Sequence, residues 1–195
     1  MAKLVQIGIA ADLLAQARRG DEHAESQIYA AVAPATFGLI RRLVGESAQA
    51  EDIFQDTMMT FYERLSSYRA EAPIGAWLRQ IAISKCMMYL RSPWHRARLQ
   101  FDGPAQETLW STELEHPSQA PPRAELLDVE DALASLSPTA RAVVWLFEVE
   151  GYSHNEIGRA FGRTASFSKS QLARAHHRLR AWFEPALEPP ACTSI

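Results

Sequence analysis

Cysteine is scarce in this 195-residue chain, which contains only Cys86 and Cys192. The two are far apart, and neither lies in a CxxC pair or a cysteine–histidine spacing typical of zinc sites. The sequence therefore predicts neither a disulfide framework nor a bound metal, and we expect free thiols in a reducing compartment. It also lacks a nucleophile elbow, a glycine-rich phosphate loop and a metal triad, so we expect no cofactor and no enzymatic activity.

Long apolar runs are absent as well. No stretch approaches the roughly 18 apolar residues of a membrane span. The N-terminus carries one base, Lys3, and no clear apolar segment followed by a cleavage site. We expect a cytoplasmic protein without membrane insertion.

Sustained strand-like alternation is missing, and the apolar period is helical nearly throughout. The period fails between Ser92 and Arg123, where five prolines occur. The sequence predicts an all-α fold of two small helical domains joined by a flexible linker. The predicted boundaries are 1–91 for the first domain, 92–123 for the linker, 124–184 for the second domain and 185–195 for a short tail.

In the first domain, glycines and capping residues divide the helical pattern. Gly20 and Gly45 are predicted to end helices, and Asp21 and Ser47 to begin them. Pro34 is expected near the start of a separate helix. The predicted helices are Leu4–Arg19, one that runs from Asp21 through Val32, one that begins near Pro34, Ala48–Leu65 and Ile74–Arg91.

The second domain is predicted to end in a helix-turn-helix. A helix over Leu126–Leu136 is followed by Ser137-Pro138, which opens Thr139–Val149. Ser153 and Glu156 form a capping box that starts a short helix, and Gly162 closes it. A longer basic helix then runs to about Phe183, with Leu172, Ala175, Leu179 and Trp182 as its buried stripe.

Charge is segregated within this domain. Positions 125–157 hold seven acids and one base, whereas positions 158–183 hold six bases and no acid. In a chain whose net charge is −3, this local excess predicts a confined contact with a polyanion. A basic helix taken alone equally fits an ordinary solvated face, but the capping box and turn favour entry into a DNA major groove.

Two features of the first domain are less specific. Asp52, Gln55 and Asp56 are neighbours on one helix face, which taken alone fits a solvated polar surface. Aromatic and basic residues interleave around positions 66–73, a composition that suits unstacked bases. Trp77 by itself is more typical of a core residue.

Together, three ordered motifs resemble the extracytoplasmic-function (ECF) sigma factors of the sigma-70 family. The run Ala50-Glu51-Asp52-Ile53-Phe54-Gln55-Asp56 resembles the A-E-D-x-x-Q-[DE] signature of region 2, and Trp77-Leu78-Arg79-Gln80-Ile81-Ala82 resembles W-L-x-x-I-A. The segment from Ala132 to Arg180 resembles region 4. There are departures: Ser84 stands where the family has asparagine, and Ser166-Phe167-Ser168 replaces the usual G-T-V.

The resemblance implies a function and its site residues. The chain would bind core RNA polymerase, direct transcription initiation at specific promoters, and respond to a regulatory protein such as an anti-sigma factor. Core polymerase would bind Glu51, Asp52, Gln55 and Asp56. The −10 element would be opened and read by Arg69, Ala70, Glu71, Ala72, Pro73, Trp77, Ser84 and Lys85.

The −35 element of the promoter DNA would be read by the last helix. The implied residues are Phe167, Lys169, Ser170, Ala173, Arg174, His177 and Arg178. Lys169, Ser170 and Ala173 would lie nearest base edges and Arg174 at a phosphate. Phe167 has two possible places: against the bracing helix or at a thymine methyl group.

Other functions remain open at this point. A helix-turn-helix regulator that acts without being a polymerase subunit would account for the basic helix, but not for the two region 2 motifs. A polymerase-binding anti-activator without DNA contact is a further alternative.

Overall fold

A computed structural model describes residues 4–45, 48–92 and 129–183. No strand occurs in these ranges, and the predicted all-helical class is confirmed. The α-helices are α1 Ala11–Ala17, α2 Glu22–Val44, α3 Ala48–Arg64, α4 Ile74–Arg91, α5 Val129–Ala134, α6 Pro138–Val144, α7 His154–Ala160 and α8 Ala165–Phe183. Single 3₁₀ turns lie at Leu4–Gln6 and Leu65–Ser67, and a π-helical turn at Trp145–Val149.

The first domain is built on the mutual packing of α2, α3 and α4. On α3, Ile53, Thr57 and Phe61 are buried at the spacing of successive helical turns. The start of α2 is capped as expected, since the Asp21 carboxylate accepts a hydrogen bond from the Ala24 amide at 2.9 Å. Because the buried residues of α3 face the core, the polar face of the same helix is left in solvent.

Pro34 does not begin a new helix, and that prediction is wrong. It lies inside α2, which continues for 23 residues. A proline in a helix interior removes one backbone hydrogen bond. The buried residues on either side of it, Val32, Thr36 and Ile40, hold the helix in the core despite that loss. Apolar burial therefore overrides the local signal.

The N-terminal segment also differs from the prediction of one helix over Leu4–Arg19. The 3₁₀ turn Leu4–Gln6 and α1 are separate, and Gly8 lies between them. The turn packs closely on the start of α4, where a Cβ atom at Gly75 would lie 1.9 Å from the Leu4 carbonyl oxygen. This tertiary contact fixes the turn, and the missing side chain of Gly75 makes the approach possible.

In the second domain, α6 begins as predicted, with the Ser137 hydroxyl accepting from the Ala140 amide at 3.3 Å. The expected helix Thr139–Val149 is regular only to Val144 and widens into the π-helical turn. Of the expected helix Leu126–Leu136, the structure describes α5. The Ser47 cap, the tail and all but Ser92 of the predicted linker lie outside the described residues.

Two sulphur-containing side chains of α4 have opposite environments. The helical apolar period of Ile74–Arg91 predicts Met88 in the buried stripe, but its side chain is 57% exposed, so that prediction is wrong. Cys86 is fully buried, and burial raises the pKa of its thiol to about 12. The reactive thiolate is therefore a minute fraction of Cys86 at neutral pH.

We expect iodoacetamide at pH 8 to leave Cys86 unmodified in the folded chain and to modify it rapidly in urea, because only unfolding exposes the thiol and returns its pKa to the ordinary range. A Cys192→Ser variant makes the mass-spectrometric reading specific to Cys86. Rapid modification of Cys86 without denaturant would show that α4 does not pack as described.

Candidate nucleic-acid interface

The helix-turn-helix consists of α7, a turn at Gly162 and α8. The predicted capping box is present: the Glu156 carboxylate accepts from the Ser153 amide at 2.8 Å, and the Ser153 hydroxyl accepts from the Glu156 amide at 3.3 Å. Hydrogen bonds from Ser153 lower the pKa of the Glu156 carboxyl. Gly162 adopts a left-handed conformation with φ of +64°, which suits glycine at the end of a helix. The local sequence thus positions the start of α8 against α7.

The rotation of α8 about its own axis is set by contacts on its inner side. The Ser168 hydroxyl is buried and lies 3.0 Å from His154 Nδ1, whose ring stacks on Phe147 at 4.3 Å between centroids. Phe167 packs on the bracing helix, with its ring 5.5 Å from that of Phe161. Of the two places considered for Phe167, the structure therefore has the one against the bracing helix.

The outer side of α8 carries the predicted −35 residues as two adjacent rows. Lys169, Ala173 and His177 follow one another at four-residue spacing, and Ser170, Arg174 and Arg178 form the second row. All six are exposed, and in the part of the chain that the structure describes their bases form no ion pair. An uncompensated basic helix face is able to attract phosphates and to reach base edges.

Two further bases of the predicted basic stretch lie beside this face, although neither was among the predicted −35 residues. Arg159 on α7 and Arg163 in the turn are exposed, and both precede the entering end of α8. On the same helix, the His176 ring lies 3.1 Å from the Glu148 carboxylate. The charge segregation in the sequence includes Arg159 and Arg163. The contact between His176 and Glu148 spans 28 positions, so no local pattern predicts it.

The acidic face of α3 is also presented to solvent. Glu51, Asp52, Gln55 and Asp56 are all exposed, and the side chain of Met59 beside them is 62% exposed. Asp56 is not isolated, because its carboxylate accepts a hydrogen bond from Lys85 Nζ at 2.7 Å. Lys85, a predicted −10 residue, therefore contacts Asp56, a predicted polymerase-binding residue. Neither sequence motif indicates this contact.

The predicted −10 loop, positions 69–73, is exposed and anchored at its base. The Arg18 guanidinium donates to the carbonyls of Leu65, at 3.1 Å, and Tyr68. The Tyr68 hydroxyl donates to the Ala72 carbonyl, which closes the loop. Ala70 adopts φ of +59°, an uncommon conformation for alanine. These hydrogen bonds hold the exposed loop in one conformation. Arg18 contributes two of them, although it was not among the predicted site residues.

The other predicted −10 residues lie along α4. Trp77 is half-buried, with its ring 5.1 Å from Tyr68 and 5.6 Å from Phe61. It therefore links the loop to the core, in keeping with its interpretation as a core residue. Ser84 is exposed and Lys85 partly so, about two helical turns further on. The predicted −10 residues therefore form two groups. One is the loop at positions 69–73 with Trp77, and the other is the patch of Ser84 and Lys85 on α4.

Within the described ranges, no helix has the length and the hydropathy of a membrane span. The same residues include no group of three or more histidine, cysteine or acidic side chains placed to hold a metal ion.

Comparison with known proteins assigns both halves of the chain. Residues 28–96 match the family model for sigma-70 region 2, and residues 126–179 match that for sigma-70 region 4. The chain is 34% identical to the RNA polymerase sigma-E factor of Streptomyces coelicolor, over 72% of this chain and 75% of that protein. It is 28% identical to the ECF RNA polymerase sigma factor SigM of Mycobacterium tuberculosis, over 87% and 82%.

Among solved structures, the chain is similar to the sigma factor RpoE of Bartonella quintana, crystallised with the anti-sigma factor NepR. The identity is 26%, the alignment covers 82% of this chain and 96% of that one, and the TM-score is 0.48.

Proposed function

Because the chain belongs to the ECF sigma factors of the sigma-70 family, it is a sigma factor, and we propose specific surfaces through which it binds core RNA polymerase and a promoter. The observation that carries the proposal is the basic face of α8. Six exposed residues lie in two rows on a helix that the capping box and the Ser168–His154 contact hold in place. We assign this face to the −35 element in the major groove.

We assign the remaining surfaces to core polymerase and the −10 element. The exposed carboxylates of α3 offer a surface for basic residues of the polymerase. The projecting loop at 69–73, with Ser84 and Lys85, is assigned to the −10 element. The domain boundaries 1–91 and 124–184 belong to the same proposal, with region 2 in the first and region 4 in the second.

Further parts of the proposal rest on family membership. We propose that the chain acts by binding rather than by catalysis, and that it works in the cytoplasm where RNA polymerase meets DNA. A regulatory protein such as an anti-sigma factor is the proposed additional partner.

Reconstitution with core RNA polymerase tests the function directly. Core polymerase with the chain should initiate at a shared set of promoters on fragmented genomic DNA, as sequencing of transcript 5′ ends would reveal. Core polymerase alone serves as the control. Specific binding of the isolated chain to duplex DNA, without any effect on transcript starts, would favour the helix-turn-helix regulator instead.

The −10 loop makes a separate prediction. Replacing positions 69–73 by the corresponding loop of a relative should change the preferred −10 sequence and leave the −35 preference intact. The reason is that unpairing a base costs a few kcal/mol, which a matching pocket has to return. The measurement is transcription from a library randomised at both elements.

A matched loop variant is Arg69→Ala, which removes only the exposed ion pair with Glu71 at 3.9 Å. An exposed pair of this kind contributes little to folding, so a change in −10 preference would come from DNA contact. If the preferred −10 sequence stays the same in the loop replacement, another part of region 2 reads it.

A further inference from the structure

The two domains pack against each other in this structure. Helix α2 of region 2 contacts α6 of region 4, and buried residues of both belong to one hydrophobic core. Arg141 of α6 lies at the C-terminal end of α2, where a Cβ atom on Gly45 would be 2.7 Å from its Nη1 atom. Burial lowers the pKa of Arg141. The arrangement therefore brings region 4 into intimate contact with region 2.

A polar contact beside this packing joins α4 to the turn before α7. The Arg79 guanidinium pairs with the Glu150 carboxylate and donates to its backbone carbonyl at 2.9 Å. The two side chains are only 13% and 14% exposed. Glu150 also accepts from the Trp145 indole nitrogen at 3.1 Å, so its carboxylate is held from both domains. We call Arg79 and Glu150 the interdomain latch.

Three aromatic and amide contacts surround the latch. Arg79 lies over the Tyr152 ring at 5.2 Å, and the Tyr152 hydroxyl donates to the Gln80 side-chain carbonyl at 3.2 Å. Arg42 of α2 lies over the Trp145 ring at 5.1 Å. Every one of these contacts crosses the domain boundary, so the latch is a built interface and not a single surface ion pair.

The closed arrangement conflicts with simultaneous contact at both promoter elements. Elements centred at −10 and −35 are separated by about 25 base pairs, or about 85 Å along B-DNA at 3.4 Å per step. A compact body of about 140 residues has a radius of gyration of about 14 Å, and hence a diameter well below that separation. The domains have to part, and the chain between positions 92 and 129 has ample contour length, on the order of 100 Å, to allow it.

The closed arrangement also crowds the predicted −10 patch. A crevice of about 220 Å³ separates α4 from region 4. Ser84 lines it on one side and Tyr152 and Ala160 line it on the other. DNA cannot approach this side of α4 fully while region 4 occupies it.

We propose that the Arg79–Glu150 latch holds the free sigma factor closed, and that binding to core polymerase is coupled to its opening. The effect on polymerase binding rests on the proposed function, whereas the latch itself is a property of the free chain. Where only a fraction of molecules is open, the apparent dissociation constant for the polymerase is raised by that fraction. A chain that is open about one tenth of the time would bind about tenfold more weakly than an unlatched one.

Charge reversal with rescue tests the latch. Arg79→Glu and Glu150→Arg should each open the chain, whereas the double variant should restore the ion pair and the closed state. The distance between labels at Gln16→Cys and Ala181→Cys, both at exposed positions, reports opening in a Cys192→Ser background. Core-polymerase affinity should tighten in each single variant, by about tenfold where the parent chain is open about one tenth of the time, and return towards the starting value in the swap.

Glu150→Gln provides a second variant that removes the charge and keeps the shape, and circular dichroism checks that each variant is folded. Unchanged label distances in the folded single variants would overturn the latch. Opening without any gain in polymerase affinity would overturn its inhibitory role. If the parent chain does not bind polymerase at all, the proposed function fails, while the label distances still decide whether the latch exists.

Discussion

Replacing Asp52 and Asp56 by arginine is expected to abolish binding of the chain to core RNA polymerase and to leave its helical content unchanged. Both side chains are exposed on α3, and the packing of the core does not depend on them, although Asp56 loses its surface contact with Lys85. A single exposed ion pair contributes only about 0–1 kcal/mol, and the loss of one would be modest. Two reversals replace attraction by repulsion at adjacent positions on the same surface. Fluorescence anisotropy of the labelled chain titrated with core polymerase measures the effect.

The matched control places the same two reversals elsewhere. Asp12→Arg with Asp131→Arg changes the net charge equally at exposed positions outside α3 and should bind normally. Lys85→Ala separates the contact that Asp56 makes with Lys85 from its proposed contact with polymerase. The change removes the ion pair at 2.7 Å without altering the Asp56 carboxylate. Undiminished binding of the Asp52→Arg, Asp56→Arg chain would exclude α3 as the polymerase surface.

At the −35 element, Lys169→Ala and Arg174→Ala are expected to have different kinds of effect. Lys169 lies in the row assigned to base edges, and its loss should cost roughly 1–3 kcal/mol at one or two base-pair positions and relax selectivity there. Arg174 lies in the neighbouring row and is assigned to a phosphate. Its loss should weaken every promoter variant alike and reduce the salt slope by about 0.9.

A −35 mutation scan with the holoenzyme at several salt concentrations distinguishes the two. Arg19→Ala removes an exposed base from the first domain and should change neither the profile nor the slope. The contacts of the partly buried Phe167 and the buried Ser168 keep α8 in place in all three variants. Identical −35 profiles for the parent chain and Lys169→Ala would refute base reading by Lys169.

Local features of this chain were predictable because their causes lie within a few residues. The capping box needs only Ser153 and Glu156, and the end of α7 needs Gly162. The buried stripe of α3 follows from an apolar period of about 3.6 residues. The two exposed rows of α8 follow from the same period, and with the charge segregation they already pointed to a helix-turn-helix. The family motifs then supplied roles that spacing alone left open.

Tertiary structure decided the features whose partners are distant in sequence. Helix α2 continues through Pro34 because burial on both sides outweighs the lost hydrogen bond, and no window around Pro34 contains that burial. Asp56 contacts Lys85 across 29 positions, and Arg79 contacts Glu150 across 71. Such pairs depend on how helices pack, which the period of a single helix does not encode. The sequence by itself therefore determined the capped helix starts and the exposed rows of α8, and tertiary packing determined the length of α2 and the contact of region 4 with region 2.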